Sequence, residues 1–185
     1  STIAGEDARD PGSWRSDPSS FRGNLERSLR GTRVAWCPDL GGLPLEPRVR
    51  AVLDAQRRTF VDLGCIVEDA VPDLTGADEI FLTIRGFRSA ALYGPLLATN
   101  RDQIKPEAIR EVESGLKLTS SDVSRAMIKH GQLLERVRQF QEKYEYIVCA
   151  VNQVPPFDAT ADWPRSIAGV AMDNYIAWMK SAYWI

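Results

Sequence analysis

Residues 31–74 constrain the fold more than any other part of the sequence. They contain two short apolar runs, each ending in Pro-Asp-Leu, separated by an amphipathic segment that stops at Gly64. Two parallel strands need a crossover of about a dozen or more residues, which is usually a helix and almost always right-handed. The segment is therefore predicted to be a βαβ unit, with strands over residues 33–37 and 65–68 and a helix that begins at Pro47.

The helix of this unit is predicted to be amphipathic. Its apolar face, which would pack on the sheet, carries Val49, Val52, Leu53, Gln56, Phe60 and Leu63. Its opposite face is predicted to be solvated, and it carries Arg50, Asp54, Arg57 and Arg58.

Helical and strand patterns continue through the rest of the chain. Apolar residues at helical spacing predict helices over residues 75–98, 107–115 and 121–143. The apolar run at residues 146–151 predicts a third buried strand. Aromatic residues concentrate in residues 169–185, which are predicted to form a final helix. The fold class that follows is α/β, with a mixed β-sheet flanked by helices.

These elements divide a single α/β segment, residues 1–185, into four parts. A polar lead-in, residues 1–30, precedes the βαβ unit at residues 31–74. A helical region follows at residues 75–143, and a strand, a loop and the aromatic helix occupy residues 144–185. A chain of 185 residues is long enough to bury one substantial core.

Charge and cysteine content argue against several classes of protein. The formal net charge is -2, whereas a dedicated nucleic-acid-binding protein shows a basic excess. No run approaches the roughly 20 apolar residues that span a bilayer, and the first residues do not resemble a signal peptide. Cys37, Cys65 and Cys149 lack metal-ligand spacing and favour a reducing, cytoplasmic location. The sequence thus predicts no nucleic-acid or membrane partner, no cofactor and no metal site.

No catalytic constellation is visible in the sequence. It contains no GxSxG or HExxH motif and no glycine-rich phosphate loop. The single histidine, His130, falls on the apolar stripe of the helix at residues 121–143, where packing is the expected role. None of the five lysines lies on an apolar strand, where burial would lower the pKa of its amine. No residue is therefore predicted to be catalytic.

Two polar residues follow the third strand and are candidates for ligand contact. Asn152 and Gln153 come directly after the apolar run at residues 146–151. Ligands of open α/β sheets bind at the carboxyl ends of the strands. An ordinary exit from a strand into a loop explains the same two residues equally well, so both interpretations stay open.

Several sequence blocks, taken in order, resemble the amidase signature family of serine hydrolases. The blocks are AGEDARDPGSW, GTRVAWCPDLGG, PDLTGADEIF, KYEYIVCAV with VPPF, and IAGVAMDNYIAWMKSAYWI. The family hydrolyses amides with a Ser–cis-Ser–Lys triad, and no residue here matches a triad position. The resemblance therefore implies an internal or C-terminal-half fragment that lacks the catalytic signature region, with an incomplete α/β/α sandwich and no catalytic residue of its own.

The resemblance implies a parent amidase that hydrolyses a carboxylic amide to a carboxylate and ammonia or an amine. This segment would give scaffold and one wall of the substrate funnel, and the isolated chain would be inactive. The wall is predicted to include Asn152, Gln153, Met172, Tyr175 and Trp178. The alternative for the aromatic residues is packing on the sheet. The implied partner is a small-molecule amide substrate.

Other functions stay open at this point. Asn152-Gln153 stands where many family members have Pro-Thr, which weakens the transfer of any pocket contact to these two residues. Within the family, the alternative is the glutamine-amidotransferase A-type subunit, which needs partner subunits. Outside it, a stand-alone α/β small-molecule-binding module fits the same strand ends. A fragment would expose apolar surface, so a homo-oligomer is a further expectation.

Overall fold

The computed structural model describes residues 5–13, 17–23 and 26–185. The strands within these ranges are β1 (Arg33–Trp36), β2 (Ile66–Asp69), β3 (Tyr146–Val148), β4 (Ser166–Ile167) and β5 (Val170–Ala171). The helices are α1 (Pro47–Asp62), α2 (Ala77–Asn100), α3 (Pro106–Gly115) and α4 (Ser120–Gln141). Short 3₁₀ helices cover Pro18–Arg22, Arg101–Gln103 and Ala177–Ala182. The polar lead-in lies partly outside the described residues.

A parallel three-stranded sheet with the order β2-β1-β3 forms the centre of the fold. Val34 in the central strand pairs with Val67 on one side and with Tyr146 on the other. Val34, Ala35 and Trp36 are at most 3% exposed, as expected for a parallel strand covered on both faces. Among the residues that the structure describes, antiparallel pairing is confined to the β4–β5 hairpin. The predicted class, a mixed α/β fold with helices flanking the sheet, is confirmed.

Helix α1 covers one face of the sheet. It begins with Pro47 at the first helical position, where the missing N–H is tolerated. Phe60 contacts the edge of Trp36, with ring centroids 5.9 Å apart. Val49 and Leu53 are half-buried on the same side of the helix.

The predicted faces of α1 need two corrections. Val52 and Leu63, expected to face the sheet, are 65% and 52% exposed. Arg50 and Arg57, expected in solvent, reach acidic groups at the sheet instead: Arg50 pairs with Asp39, and Arg57 donates two hydrogen bonds to Asp69. The reason is that arginine carries a long apolar stem, so it packs at a buried boundary while its guanidinium meets a carboxylate.

Helix α4 covers the opposite face of the sheet. Cys37 follows Trp36 directly and points to the other side of the strand. It forms a buried cluster with Leu40, and Leu133 and Val137 of α4 pack against this cluster. The sheet is therefore enclosed between α1 and α4.

A close glycine contact joins α2 to α3. Gly86 and Gly115 are both buried, and a Cβ atom added to Gly115 would lie 1.9 Å from the Gly86 carbonyl oxygen. Helix α2 also continues through Pro95 to Asn100, beyond the predicted end at residue 98. Only glycine at position 115 allows the two backbones to approach this closely, whereas a Cβ atom on Gly86 would make ordinary contacts of 3.5 Å or more.

The predicted final helix over residues 169–185 is wrong. Residues 166–171 form a β-hairpin whose turn places Ala168 and Gly169 at positive φ. Asn174 then accepts hydrogen bonds from the N–H groups of Ile176 and Ala177, which starts the short 3₁₀ helix Ala177–Ala182. A side-chain oxygen that bonds the backbone two and three residues on competes with a continuous α-helix.

Candidate functional site

Gln153, one of the predicted ligand contacts, is bound inside the chain. It is 1% exposed, and its side-chain amide donates a hydrogen bond of 3.0 Å to the Pro44 carbonyl. Its side-chain oxygen accepts from the Ser181 N–H at 3.4 Å. Gln153 therefore ties the strand exit to two distant segments, and its role as a ligand contact stays a prediction.

Asn152 lies next to it but faces solvent. It lines a shallow apolar groove of about 350 Å³ between α1 and the exit of β3, together with Val52, Leu53 and Val154. The two neighbouring residues thus point into different environments. Only Asn152 is free to meet a molecule from outside.

Met172, Tyr175 and Trp178 are brought together in one aromatic cluster, although the helix predicted to carry them does not form. Trp178 makes edge-to-face contacts with Phe157 at 5.4 Å and with Tyr175 at 6.1 Å between ring centroids. Met172 is 7% exposed and packs with the buried Trp163. Edge-to-face geometry is the favoured arrangement of aromatic rings.

Two indole groups of this cluster lack hydrogen-bond partners. Among the described residues, the buried Nε1–H groups of Trp163 and Trp178 meet no acceptor. A buried donor without a partner destabilises a fold by about 1–3 kcal/mol.

A cavity larger than this groove lies elsewhere in the described part of the chain. It has a volume of about 700 Å³ and lies between α2, α3, α4 and the residues that follow the last 3₁₀ helix. Its apolar wall includes Ile80, Ile84, Leu133, Val137 and Ile147. None of the five predicted wall residues lines it.

Polar and aromatic groups interrupt the apolar lining of this cavity. Glu111 of α3 accepts hydrogen bonds from Arg85, at 2.8 Å, and from Ser89, both on α2. The rings of Phe81 and Tyr183 stack at 3.8 Å with an angle of 8° between them. The cavity therefore combines a flat aromatic surface with a half-buried ion pair.

Asp78, in the first turn of α2, fixes the segment that closes this cavity. It pairs with Lys180 and accepts hydrogen bonds from the Tyr183 hydroxyl at 2.8 Å and the Trp184 indole at 2.7 Å. Partial burial opposes ionisation of Asp78, but the bonds from Lys180, Trp184 and Tyr183 hold the pKa of its carboxyl below the usual value. Burial, reinforced by Asp78, raises the pKa of the Tyr183 hydroxyl.

The cysteines and acidic residues offer little independent chemistry. Burial raises the pKa of the Cys37 thiol to about 12, so it stays protonated at neutral pH and is a poor nucleophile. Within residues 5–13, 17–23 and 26–185, no group of three or more His, Cys, Asp and Glu side chains is placed to hold a metal ion. The same residues contain no helix with the length and hydrophobicity needed to cross a membrane.

The sequence analysis missed the residues that line the large cavity. They come from α2, α3, α4, β3 and the last three residues, so only the tertiary structure brings them together. The local signal was weak: Arg85, Arg88 and Ser89 interrupt an otherwise apolar helix within one turn of each other.

Comparison with known proteins adds one relative by sequence. No family model matches the chain. The chain is 26% identical over 182 residues to an acylamidase from Rhodococcus erythropolis. The match covers 96% of this chain and 38% of that relative, so the chain spans well under half of the relative's length.

Solved structures show the same fold. A bacterial aryl acylamidase of the amidase signature family matches with a TM-score of 0.82 at 16% identity, over 97% of this chain and 39% of that protein. An amidase structure matches with a TM-score of 0.70 at 16% identity, over 84% and 36% of the two chains. The predicted resemblance is therefore confirmed in sequence and in fold.

Proposed function

From the premise that this chain is an acylamidase homologue with the fold of amidase signature enzymes, we propose that the protein it helps to build hydrolyses carboxylic amides. Water adds its hydroxyl to the carbonyl carbon, the C–N bond breaks, and the nitrogen leaves with a proton as ammonia or an amine. The observation that carries this proposal is the 26% identity to an acylamidase along 96% of the chain. The chain corresponds to 38% of that relative, and the catalytic groups are proposed to lie in the remaining part because no residue here matches the family's triad.

The first role proposed for this segment is scaffold. Its central strand β1 is buried and paired on both sides, while β2 and β3 lie at the two edges of the sheet. An edge strand presents unpaired N–H and C=O groups to which further strands can add. The segment alone is expected to have no amidase activity, because none of its residues matches the family's triad.

The second role proposed is one wall of the substrate funnel. Asn152 is exposed at the exit of β3, and Met172, Tyr175 and Trp178 form the aromatic cluster beside it. Val154 packs against the same cluster, which links it to the carboxyl end of β3. Aromatic lining suits amides that carry an aryl or other apolar group. The matched aryl acylamidase supports this substrate class.

The activity is tested on the full-length protein and on the 185-residue chain in parallel. We expect the full-length protein to release 4-nitroaniline from 4-nitroacetanilide, and the chain alone to release none. Turnover by the rigorously purified chain, or failure of the full-length protein on every aryl and alkyl amide tried, contradicts the proposal. Glutamine hydrolysis that needs a co-purifying subunit identifies the amidotransferase alternative.

The funnel wall is tested by Trp178→Ala in the full-length protein. If the ring contacts substrate, KM for an aryl amide rises by about tenfold while KM for acetamide changes little. Phe21→Ala, an exposed aromatic residue outside the cluster, is the control. Equal changes for both substrates, with kcat falling in parallel, indicate a packing role only.

A further inference from the structure

We propose that Cys37 and Cys149 together form a binding site for a soft divalent metal ion that takes two sulfur ligands in a line, as the mercuric ion does. The two residues directly follow the neighbouring strands β1 and β3, and both are free thiols. Neither residue lines the large cavity between α2, α3 and α4, and neither belongs to the proposed funnel wall.

The backbone places the two cysteines side by side. Trp36 of β1 lies opposite Val148 of β3, so the next step of the same parallel register sets Cys37 opposite Cys149. Hydrogen bonds continue the pairing past this step. The Cys37 N–H donates to the Val148 carbonyl at 3.0 Å, and the Pro38 carbonyl accepts from the N–H of the residue after Cys149, also at 3.0 Å.

Both side chains meet the same apolar cluster. Residues opposite each other in paired strands point to the same face of a sheet. Cys37 is 2% exposed in the cluster that contains Leu40, and the half-buried Cys149 packs against that cluster. Cys149 also lines the groove between α1 and the exit of β3, which gives an ion a route from solvent.

The spacing of the strands suits a bridging ion better than a disulfide. Neighbouring strands lie about 4.8 Å apart, whereas a disulfide needs Cβ atoms about 3.5–4.5 Å apart. A metal–thiolate bond is about 2.3 Å long, so an ion with two sulfur ligands in a line holds the sulfur atoms about 4.6 Å apart. That separation is close to the distance between the strands.

The ligands and their surroundings select the metal. Among the described residues, no group of three or more His, Cys, Asp and Glu side chains is placed to hold an ion, and zinc takes four ligands. Soft ions favour thiolate ligands. The apolar cluster disfavours a net charge, and two thiolates neutralise a divalent ion but leave copper(I) with a net negative charge. These conditions favour the mercuric ion.

Binding releases protons, because both thiols are protonated at neutral pH. Burial raises the pKa of the Cys37 thiol to about 12, and burial also raises the pKa of the Cys149 thiol. With mercuric chloride as the source, the balanced step is HgCl₂ + 2 RSH → Hg(SR)₂ + 2 H⁺ + 2 Cl⁻, in which RSH stands for each of the two thiols. Two Hg–S bonds form, and no electron is transferred.

The test is titration of the 185-residue chain with mercuric chloride at neutral pH. Proton release is followed in a pH-stat, and bound mercury is measured after gel filtration with excess 2-mercaptoethanol, which removes ions held by one thiol. We expect one retained ion per chain and two protons released with it. Cys37→Ala and Cys149→Ala should each hold the ion at least about a hundredfold more weakly, because a second linked ligand raises affinity by about 10²–10⁴.

The matched control is Cys65→Ala. Cys65 is 8% exposed, but it precedes β2 and lies beside Thr32, whose carbonyl accepts from the Ile66 N–H. Five residues of strand separate Thr32 from Cys37, which is about 16 Å and too far for one ion to bridge. This variant should retain mercury as the unmodified chain does.

Three results overturn the inference: no retained ion, one proton released per ion by the unmodified chain, or an equal loss in Cys65→Ala and Cys37→Ala. Circular dichroism of each variant verifies that the fold is retained. If Cys37→Ala unfolds, the half-buried Cys149→Ala decides the result.

Discussion

The side-chain amide of Gln153 is buried, and both its nitrogen and its oxygen form a hydrogen bond. Replacement by leucine leaves the Pro44 carbonyl and the Ser181 N–H without these bonds. We expect Gln153→Leu to lower the free energy of unfolding by about 1–3 kcal/mol, the usual effect of orphaned buried groups. Urea denaturation measures it, with the exposed Asn152→Leu as the control, which should change stability by less than about 0.5 kcal/mol. An unchanged midpoint for Gln153→Leu contradicts the structural role.

Asp78 links stability to pH. The pKa of its carboxyl is lower in the folded chain than in the unfolded one, so its contribution is present above the unfolded pKa. That contribution is lost as the pH falls through the folded pKa. The stability difference between the unmodified chain and Asp78→Asn should therefore shrink as the pH is lowered from about 6 to about 3.

Urea denaturation across this pH range measures the difference. The exposed Asp173→Asn, measured in parallel, serves as the control. The opposite result is a stability difference between Asp78→Asn and the unmodified chain that grows as the pH falls. That result would show that Lys180, Tyr183 and Trp184 do not stabilise the ionised Asp78 carboxylate.

At the scale of elements, the α2–α3 contact depends on glycine. Alanine at position 115 would place its Cβ atom 1.9 Å from the Gly86 carbonyl oxygen and 2.9 Å from the Ala90 Cβ. We expect Gly115→Ala to destabilise the chain by about 1–3 kcal/mol or more, because the helices must move apart.

Gly131, inside α4, is the matched control. A Cβ atom there meets no other atom within 4 Å. Gly131→Ala should therefore stabilise the chain by about 0.5–1 kcal/mol, from helix propensity alone. Thermal unfolding of both variants measures the two signs. If both variants were destabilised equally, the close α2–α3 contact could not be the cause of the effect at position 115.

Local patterns predicted the elements that local interactions specify. The strands β1 and β2 and the helix between them begin and end within about two residues of the predicted bounds, because Pro47, Gly64 and the apolar runs act over short distances. The terminal region was mispredicted because the Asn174 side chain and the hairpin turn override a helical spacing of aromatic residues. The residues that direct such a turn give a weaker sequence signal than a regular spacing of aromatic residues.

The candidate site was predicted only in part, for a related reason. Met172, Tyr175 and Trp178 were placed on a predicted helix, as part of the wall that the family resemblance implies, and the hairpin brings them together by another route. The burial of Gln153 depends on Pro44, more than a hundred positions earlier in the chain. Contacts over such separations leave no periodic pattern in the sequence, and the cavity lined by Arg85 and Arg88 depends on them entirely.

At the scale of the whole molecule, large apolar residues are unusually exposed on the helices around the sheet. Leu92 and Tyr93 of α2, and Met127, Ile128 and Leu134 of α4, are all more than half exposed. Surfaces of this kind on soluble proteins mark contact with another body. We expect the isolated chain to self-associate and to bind an apolar dye.

Sedimentation velocity at several concentrations measures the association. The double variant Met127→Lys with Ile128→Lys should reduce both association and dye binding, while Thr59→Lys, at an exposed polar position of α1, should not. A monomer at all concentrations, with no dye fluorescence, contradicts the expectation of a homo-oligomer.

The strand order also sets the sequence of folding events. Arg33 pairs with Ile66 across a single helix, whereas Val34 pairs with Tyr146 only after three further helices have intervened. Closing the longer loop costs about 1 kcal/mol more in chain entropy. In pulsed hydrogen exchange during refolding, amides shared by β1 and β2 should gain protection before those shared by β1 and β3. The two sides of the central strand would then become paired at different times during folding. The side of β1 that pairs with β3 would stay unpaired, and so accessible to other strands, for longer.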